Sequence, residues 1–127
     1  MAVSSDPRVR GAQAERAAER HLRLRGWRIC ARNWSGGGGE LDIVASRWRT
    51  LLVVEVRLRA DHELAGWSID AAKLERTRRA ARTLIRQHGL YRYRLRLDLF
   101  LYDHAGRLER RSDLDRVVHD PARHVAS

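Results

Sequence analysis

Apolar residues recur along this chain with two different periods, and each change of period marks a new element. From Asp6 to Gly26 the spacing is helical: Gly11, Glu15, Ala18 and Leu22 fall on one face, while Arg16, Arg20 and Arg23 point elsewhere. Asp6-Pro7 supplies an N-cap and a first-turn proline, and Gly26 a stop. "WRICARN" then alternates Trp27, Ile29 and Ala31 against Arg28 and Cys30, as a half-buried strand does. "ELDIVA" and "TLLVVEVRLR" are the strongest strand predictions, β-branched, apolar and bounded by polar residues. "SIDAAKLERTRRAARTLIRQHG" returns to the helical period, with Ser68 or Asp70 as cap, Lys73, Thr77, Ala80 and Leu84 on one face, and Gly89 at the C-terminal position. "YRYRLRLDLFLY" alternates as a strand, and "DHAG" turns the chain into a last short strand near "RLERR". The order helix, three strands, helix, one or two strands predicts a mixed α/β sheet flanked by helices. A single domain over residues 1–115, with a tail over 116–127, is expected.

Period two also sorts the strand side chains. Leu41, Ile43 and Ala45 share one face and Glu40 and Asp42 the other; in the next strand Leu52, Val54, Val56 and Leu58 oppose Glu55, Arg57 and Arg59. A hairpin about "SRWRT" has its midpoint near Trp48 and Arg49, so opposed residues have numbers summing to about 97, as Asp42 and Glu55 do. Opposed side chains project to the same face with Cβ atoms roughly 5 Å apart. Two carboxylates that close repel and raise each other's pKa, and a cation removes the conflict. Two arrangements satisfy this spacing. In one, Arg57 or Arg59 neutralises Glu55 in an ordinary sheet salt bridge. In the other, Asp42 and Glu55 hold Mg²⁺ or Mn²⁺ through their oxygens, with a cation beside them. Glu15 likewise has two readings: a carboxylate turned inward with its helix stripe, or one that snorkels out to solvent.

Charge narrows the partner. The formal net charge is +10 over 127 residues and the sequence pI about 11.3, which attracts a polyanion: RNA, DNA or an anionic membrane surface. With 43% hydrophobic residues the charge does not imply disorder. Nearly all of the basic charge is arginine, Lys73 being the only lysine. "RTRRAAR", with Arg76 and Arg79, is either a phosphate-contacting helix face or a solvated one. The single cysteine, Cys30, excludes an internal disulfide and a thiolate zinc cluster. "MAVSSDPRVR" has no apolar signal-peptide region and no long apolar span follows, so a cytoplasmic protein without membrane partners is expected.

Other chemistry finds little support. The run Gly36–Gly39 lacks the Gly-Lys-Ser/Thr ending of a phosphate-cradling loop and reads as a flexible hairpin connection. His21, His62, His88, His104, His119 and His124 form no tight metal spacing. There is no serine nucleophile elbow. Trp27 and Trp48 read as core or turn residues; Trp34 and Trp67 read as loop residues able to touch nucleic acid.

"GAQAERAAERHLRLRGWRICARN", "GELDIVA", "VVEVRLR", Lys73 and "RLDLFLY" resemble the successive blocks of the YraN family over roughly Gly11 to Tyr102. Those are small, mostly uncharacterised bacterial proteins related to archaeal Holliday junction resolvases and the PD-(D/E)xK nuclease superfamily. The resemblance implies a restriction-endonuclease-like α/β core. Its active site would take Glu15 from the first helix and Asp42 and Glu55 as metal ligands from the hairpin. The superfamily usually has lysine two places after the second carboxylate, and here that residue is Arg57. A guanidinium keeps the charge and grips phosphate bidentately, but it cannot be deprotonated in a protein. Either the site tolerates arginine or catalysis is lost. Lys73, which matches a family lysine, is an alternative source of an amine.

The combined expectation is a nuclease-like domain that binds structured or branched DNA, with RNA possible, in repair or recombination. It would cleave phosphodiesters with Mg²⁺ or Mn²⁺ held by Asp42 and Glu55, Glu15 assisting and Arg57 stabilising charge. Arg59, Lys73, Arg76 and Arg79 would bind the nucleic acid. Rival readings are an inactive binding module of the same fold and an interaction scaffold; a homodimer is compatible with each.

Overall fold

A computed structural model describes residues 6–58 and 71–114. The chain runs α1 (Pro7–Arg23), β1 (Arg28–Gly36), β2 (Gly39–Arg47), β3 (Thr50–Leu58), α2 (Ala71–His88), β4 (Arg94–Tyr102) and β5 (Leu108–Arg111). This is the predicted order. The five strands form one mixed sheet in the order β1-β2-β3-β4-β5, antiparallel except for the parallel pair β3–β4 that the α2 crossover joins. None of the described helices is long and apolar enough to cross a membrane.

Each helix covers one face of the sheet. Ala14, Ala18 and Leu22 of α1 pack on Ile43, Ala45, Leu52, Val54 and Phe100. Leu74, Ala80, Ala81 and Leu84 of α2 pack on Val44, Leu51, Val53 and Leu97. A sheet covered twice buries nearly every residue of its central strands, and Leu51–Val56 and Leu97–Tyr102 are buried throughout. Each leucine hidden this way contributes about 2 kcal/mol relative to exposure. The helix ends follow the expected signals. Asp6 Oδ1 accepts from Arg8 N at 2.9 Å, and Gly26 and Gly89 adopt φ +83° and +63° beyond the two C-termini. Ser68 and Asp70, the predicted α2 caps, and the predicted tail 116–127 lie outside the described residues.

Strict alternation fails in two places. A register shift between Ile29 and Ala31 puts Ile29 against the α1-side core and Ala31 against the α2-side core. Four residues on, Asn33 has φ +48°, and the β1–β2 ladder passes from Arg32–Ile43 directly to Trp34–Leu41. As a result Leu41 packs on the α2 side while Ile43 and Ala45 pack on the α1 side, against the prediction that all three share a face. A left-handed residue turns the ribbon over, which periodicity alone cannot reveal.

The glycine run is also more constrained than a flexible connection. It forms a tight turn from Gly36 to Gly39 laid on the α2 backbone. A Cβ at Gly39 would stand 2.4 Å from the Arg76 carbonyl oxygen, and one at Gly37, where φ is +59°, 2.3 Å from Thr83 Oγ1. The turn needs glycine because helix and hairpin touch backbone to backbone. Gly39→Ala should therefore lower unfolding stability by about 1–3 kcal/mol in urea melts, the usual range for overpacking. A neutral result would show that the hairpin can lift off the helix.

Candidate active site

The site begins where β2 and β3 part. Their ladder pairs residues summing to 97, from Arg47–Thr50 to Ile43–Val54, and stops there. That is the predicted register. Beyond it β3 continues to Leu58 alongside β4 alone. The amide of Val56, which faces the opening, donates instead to Asp42 Oδ2 at 2.8 Å. The twist at Asn33 and Asp42 thus turns one carboxylate sideways into the notch between two strands.

Glu55 completes the pair. It is buried, 5% exposed, and its Oε1 accepts Arg57 Nη2 at 2.7 Å and Lys73 Nζ at 2.9 Å. Arg57 comes from the same face of β3, and Lys73 from the first turn of the crossover helix α2. Burial pushes the Asp42 carboxyl up from 3.8 to about 7, and the Glu55 charge adds to the rise. Burial also raises Glu55, with Arg57 and a hydrogen bond to Asp42 acting against it. Two carboxyls in hydrogen-bond contact with raised pKa share a proton readily, and a divalent cation can take that proton's place.

These groups line a cleft of about 220 Å³ together with Gly39, Glu40, Lys73 and Arg76. Asp42 and Glu55 offer oxygen donors only. Among the described residues no group of three or more His, Cys, Asp or Glu is placed to hold a metal ion. Two carboxylates with water completing the shell suit Mg²⁺, which dehydrates reluctantly. They do not suit zinc, which wants nitrogen or sulfur. By donor type alone, the pair is compatible with a hard divalent cation. The ion pair between Glu55 and Arg57 forms, and Asp42 stands beside it as a second carboxylate.

The remaining predicted residues divide. Glu15 lies at the margin of the inward stripe, half-buried, in hydrogen bond to the Asn33 side chain, and does not line the cleft. Burial raises its pKa, and the charges of Glu40, Glu19 and Glu55 add to the rise. Arg76 lines the cleft; Arg79 lies beside the glycine turn instead. Arg59 and Trp67 lie outside the described residues. Trp34 is on β1 rather than in a loop, folded over Gly36 and packed against the α2-side core. Trp27 is core, as predicted, with Arg47 stacked 4.3 Å from its ring centroid. Sequence reading passed over Asn33, whose left-handed backbone and Glu15 bond shape the notch, and Glu40 as a cleft residue. Asn33 had a signal in its type, because asparagine tolerates αL best after glycine.

Residues 14–101 match the model of an uncharacterised protein family, UPF0102, and this span contains every candidate cleft residue. A UPF0102 protein of Methylorubrum extorquens is 43% identical over 81 residues, 64% of this chain and 63% of the relative. One from Rhizorhabdus wittichii is 38% identical over 91 residues, covering 72% and 77%, and one from Porphyromonas gingivalis 40% over 88, covering 68% and 65%. The match thus spans a little under two thirds of the Methylorubrum relative's length. With the family model matched over most of the chain and these relatives aligned across the same region, this protein belongs to the UPF0102 family, the YraN family of the sequence resemblance.

Proposed function

We propose that the protein is a nucleic-acid-binding nuclease of restriction-endonuclease-like architecture, which hydrolyses phosphodiesters in structured or branched DNA with Mg²⁺ or Mn²⁺. The observation that carries this reading is the notch itself. It gathers Asp42, Glu55, Arg57 and Lys73 in one cleft of a chain with net charge +10. A purely structural ion pair needs one carboxylate, not two with raised pKa.

Asp42 and Glu55 would hold the cation, which supplies Lewis acidity toward a phosphoryl oxygen and lowers the pKa of a bound water. The Val56 amide fixes the Asp42 carboxylate, so the pair is pre-oriented. Arg57 stabilises the charge that grows on the phosphoryl oxygens. Lys73 brings an amine to Glu55 Oε1, where a proton can be held for or taken from the attacking water. It thereby offers what Arg57 cannot. Glu15, bonded to Asn33 outside the cleft lining, would act only through an intervening water, and Arg76 and Arg79 would contact phosphates. The alternative, an inactive binding module, draws support from Arg57 alone.

Binding and cleavage of junction and flap DNA test the reading. With five to seven phosphates contacted, log K against log[salt] should slope at about −5 to −6 on duplex. Cleavage should require Mg²⁺ or Mn²⁺. Steep binding without cleavage in any metal leaves the binding module, and a flat salt response removes both.

A further inference from the structure

The end of the sheet opposite the carboxylates carries its own unusual residue. Trp48 sits at the tip of the β2–β3 hairpin with φ +55° and is 93% exposed. Left-handed hairpin positions belong to glycine, asparagine and aspartate, and a bulky residue there is strained. Exposure of a whole indole adds an unfavourable hydration term. A tip that only closed a hairpin would be better served by glycine at position 48, since Arg49 does not share the positive φ. The fold keeps a strained, solvent-facing tryptophan.

Its surroundings are uniformly basic. Arg94 N donates to Arg49 O at 2.7 Å, which brings the Tyr91–Tyr93 loop alongside the tip. Arg28, Arg49, Arg92 and Arg94 are exposed, and Tyr91 is 71% exposed. Neither residues 43–54 nor residues 76–97 contain an aspartate or glutamate. The tip is also braced, because Arg47 stacks on Trp27 and donates to Arg25 O at 2.7 Å. Thr50 to Glu55 is five strand residues, so this patch stands roughly 17 Å from the carboxylate pair.

We propose that Trp48 is a stacking platform for an unpaired base, with Arg49, Arg92 and Arg94 taking the flanking phosphates. An exposed aromatic among guanidinium groups is what single-stranded nucleic acid requires, a π-face for the base and forked cations for the backbone. A membrane surface would favour more apolar area than one indole supplies. The inference rests on the nucleic-acid reading of the charge and adds a substrate class: strands with an unpaired stretch beside the duplex.

Fluorescence anisotropy of a labelled thymidine oligonucleotide and of a long duplex separates the two. Trp48→Ala should weaken single-strand binding about tenfold or more. It should leave duplex affinity within about twofold and the salt slope unchanged. Trp48→Gly should raise the melting temperature by relieving the turn, and lose as much single-strand affinity. A structural tryptophan would do the reverse. Single-strand affinity unchanged in both variants overturns the platform while leaving the nuclease reading intact, as does an equal loss on both substrates. Wild-type protein that binds neither nucleic acid, but binds anionic vesicles through Trp48, overturns both.

Discussion

Lys73→Arg should slow single-turnover cleavage of junction DNA by about two to four orders of magnitude, the range for removing a positioned proton-transfer group. The substitution preserves charge near Glu55, where Lys73 Nζ stands 2.9 Å from Oε1. It removes only the ability to give up a proton. Arg57→Ala should be damaging for a different reason, costing about 10²–10³ through lost charge stabilisation. Arg57→Lys should hold at least the wild-type rate, since charge remains and a second amine is added. Lys73→Arg that is silent while Arg57→Lys accelerates cleavage tenfold would move the proton role to position 57. If wild type and all variants are inert across metals yet still bind DNA, the binding-module reading stands.

Asp42→Asn should abolish Mn²⁺ binding in calorimetric titrations and make the metal-free protein more stable above neutral pH. In the unfolded chain Asp42 loses its proton near pH 3.8; in the fold it keeps it to about 7. Below the lower value the group contributes no pH dependence. Between the two, the native state holds a proton that the unfolded state has lost, so stability falls as pH rises, and the loss is complete above about 7. Solvent access through the cleft and sharing with Glu55 reduce the effect to about 1–3 kcal/mol. Asparagine removes this slope and still offers an oxygen to the Val56 amide. The variant's advantage in urea melts should therefore shrink toward pH 4. Saturating Mn²⁺ should stabilise wild type alone, and wild-type Mn²⁺ affinity should fall as pH drops below about 7 and protons compete. Equal metal affinity in the two proteins would make the carboxylates structural.

Much of this arrangement was legible in local pattern. Helical spacing in Gly11–Leu22 reports the inward stripe, period two in Thr50–Leu58 reports which helix-covered face of the sheet each side chain takes, and the elements formed in their predicted order. The hairpin register followed from the turn centre, because an antiparallel ladder with a short loop fixes the sum of opposed residue numbers. That sum alone brings Asp42 level with Glu55.

Only tertiary structure decided how the two carboxylates meet. Simple opposition would have left them side by side on a continuous ladder. Instead the shift after Ile29 and the left-handed Asn33 turn the ribbon over, part β2 from β3, and aim Asp42 at the Val56 amide. The residue type of Asn33 permits the left-handed turn, but where it falls in the ladder is set by pairing across the sheet. Glu15 illustrates the same point, since its helix face was readable but its bond to Asn33 depends on that irregularity. Lys73 shows it over a longer range. It is eighteen residues from Glu55 in sequence, and the parallel crossover to β4 is what returns its amine to the Glu55 carboxylate. Local chemistry determined which groups the chain carries and on which elements; the packing of two helices on a twisted sheet determined which of them share a cleft.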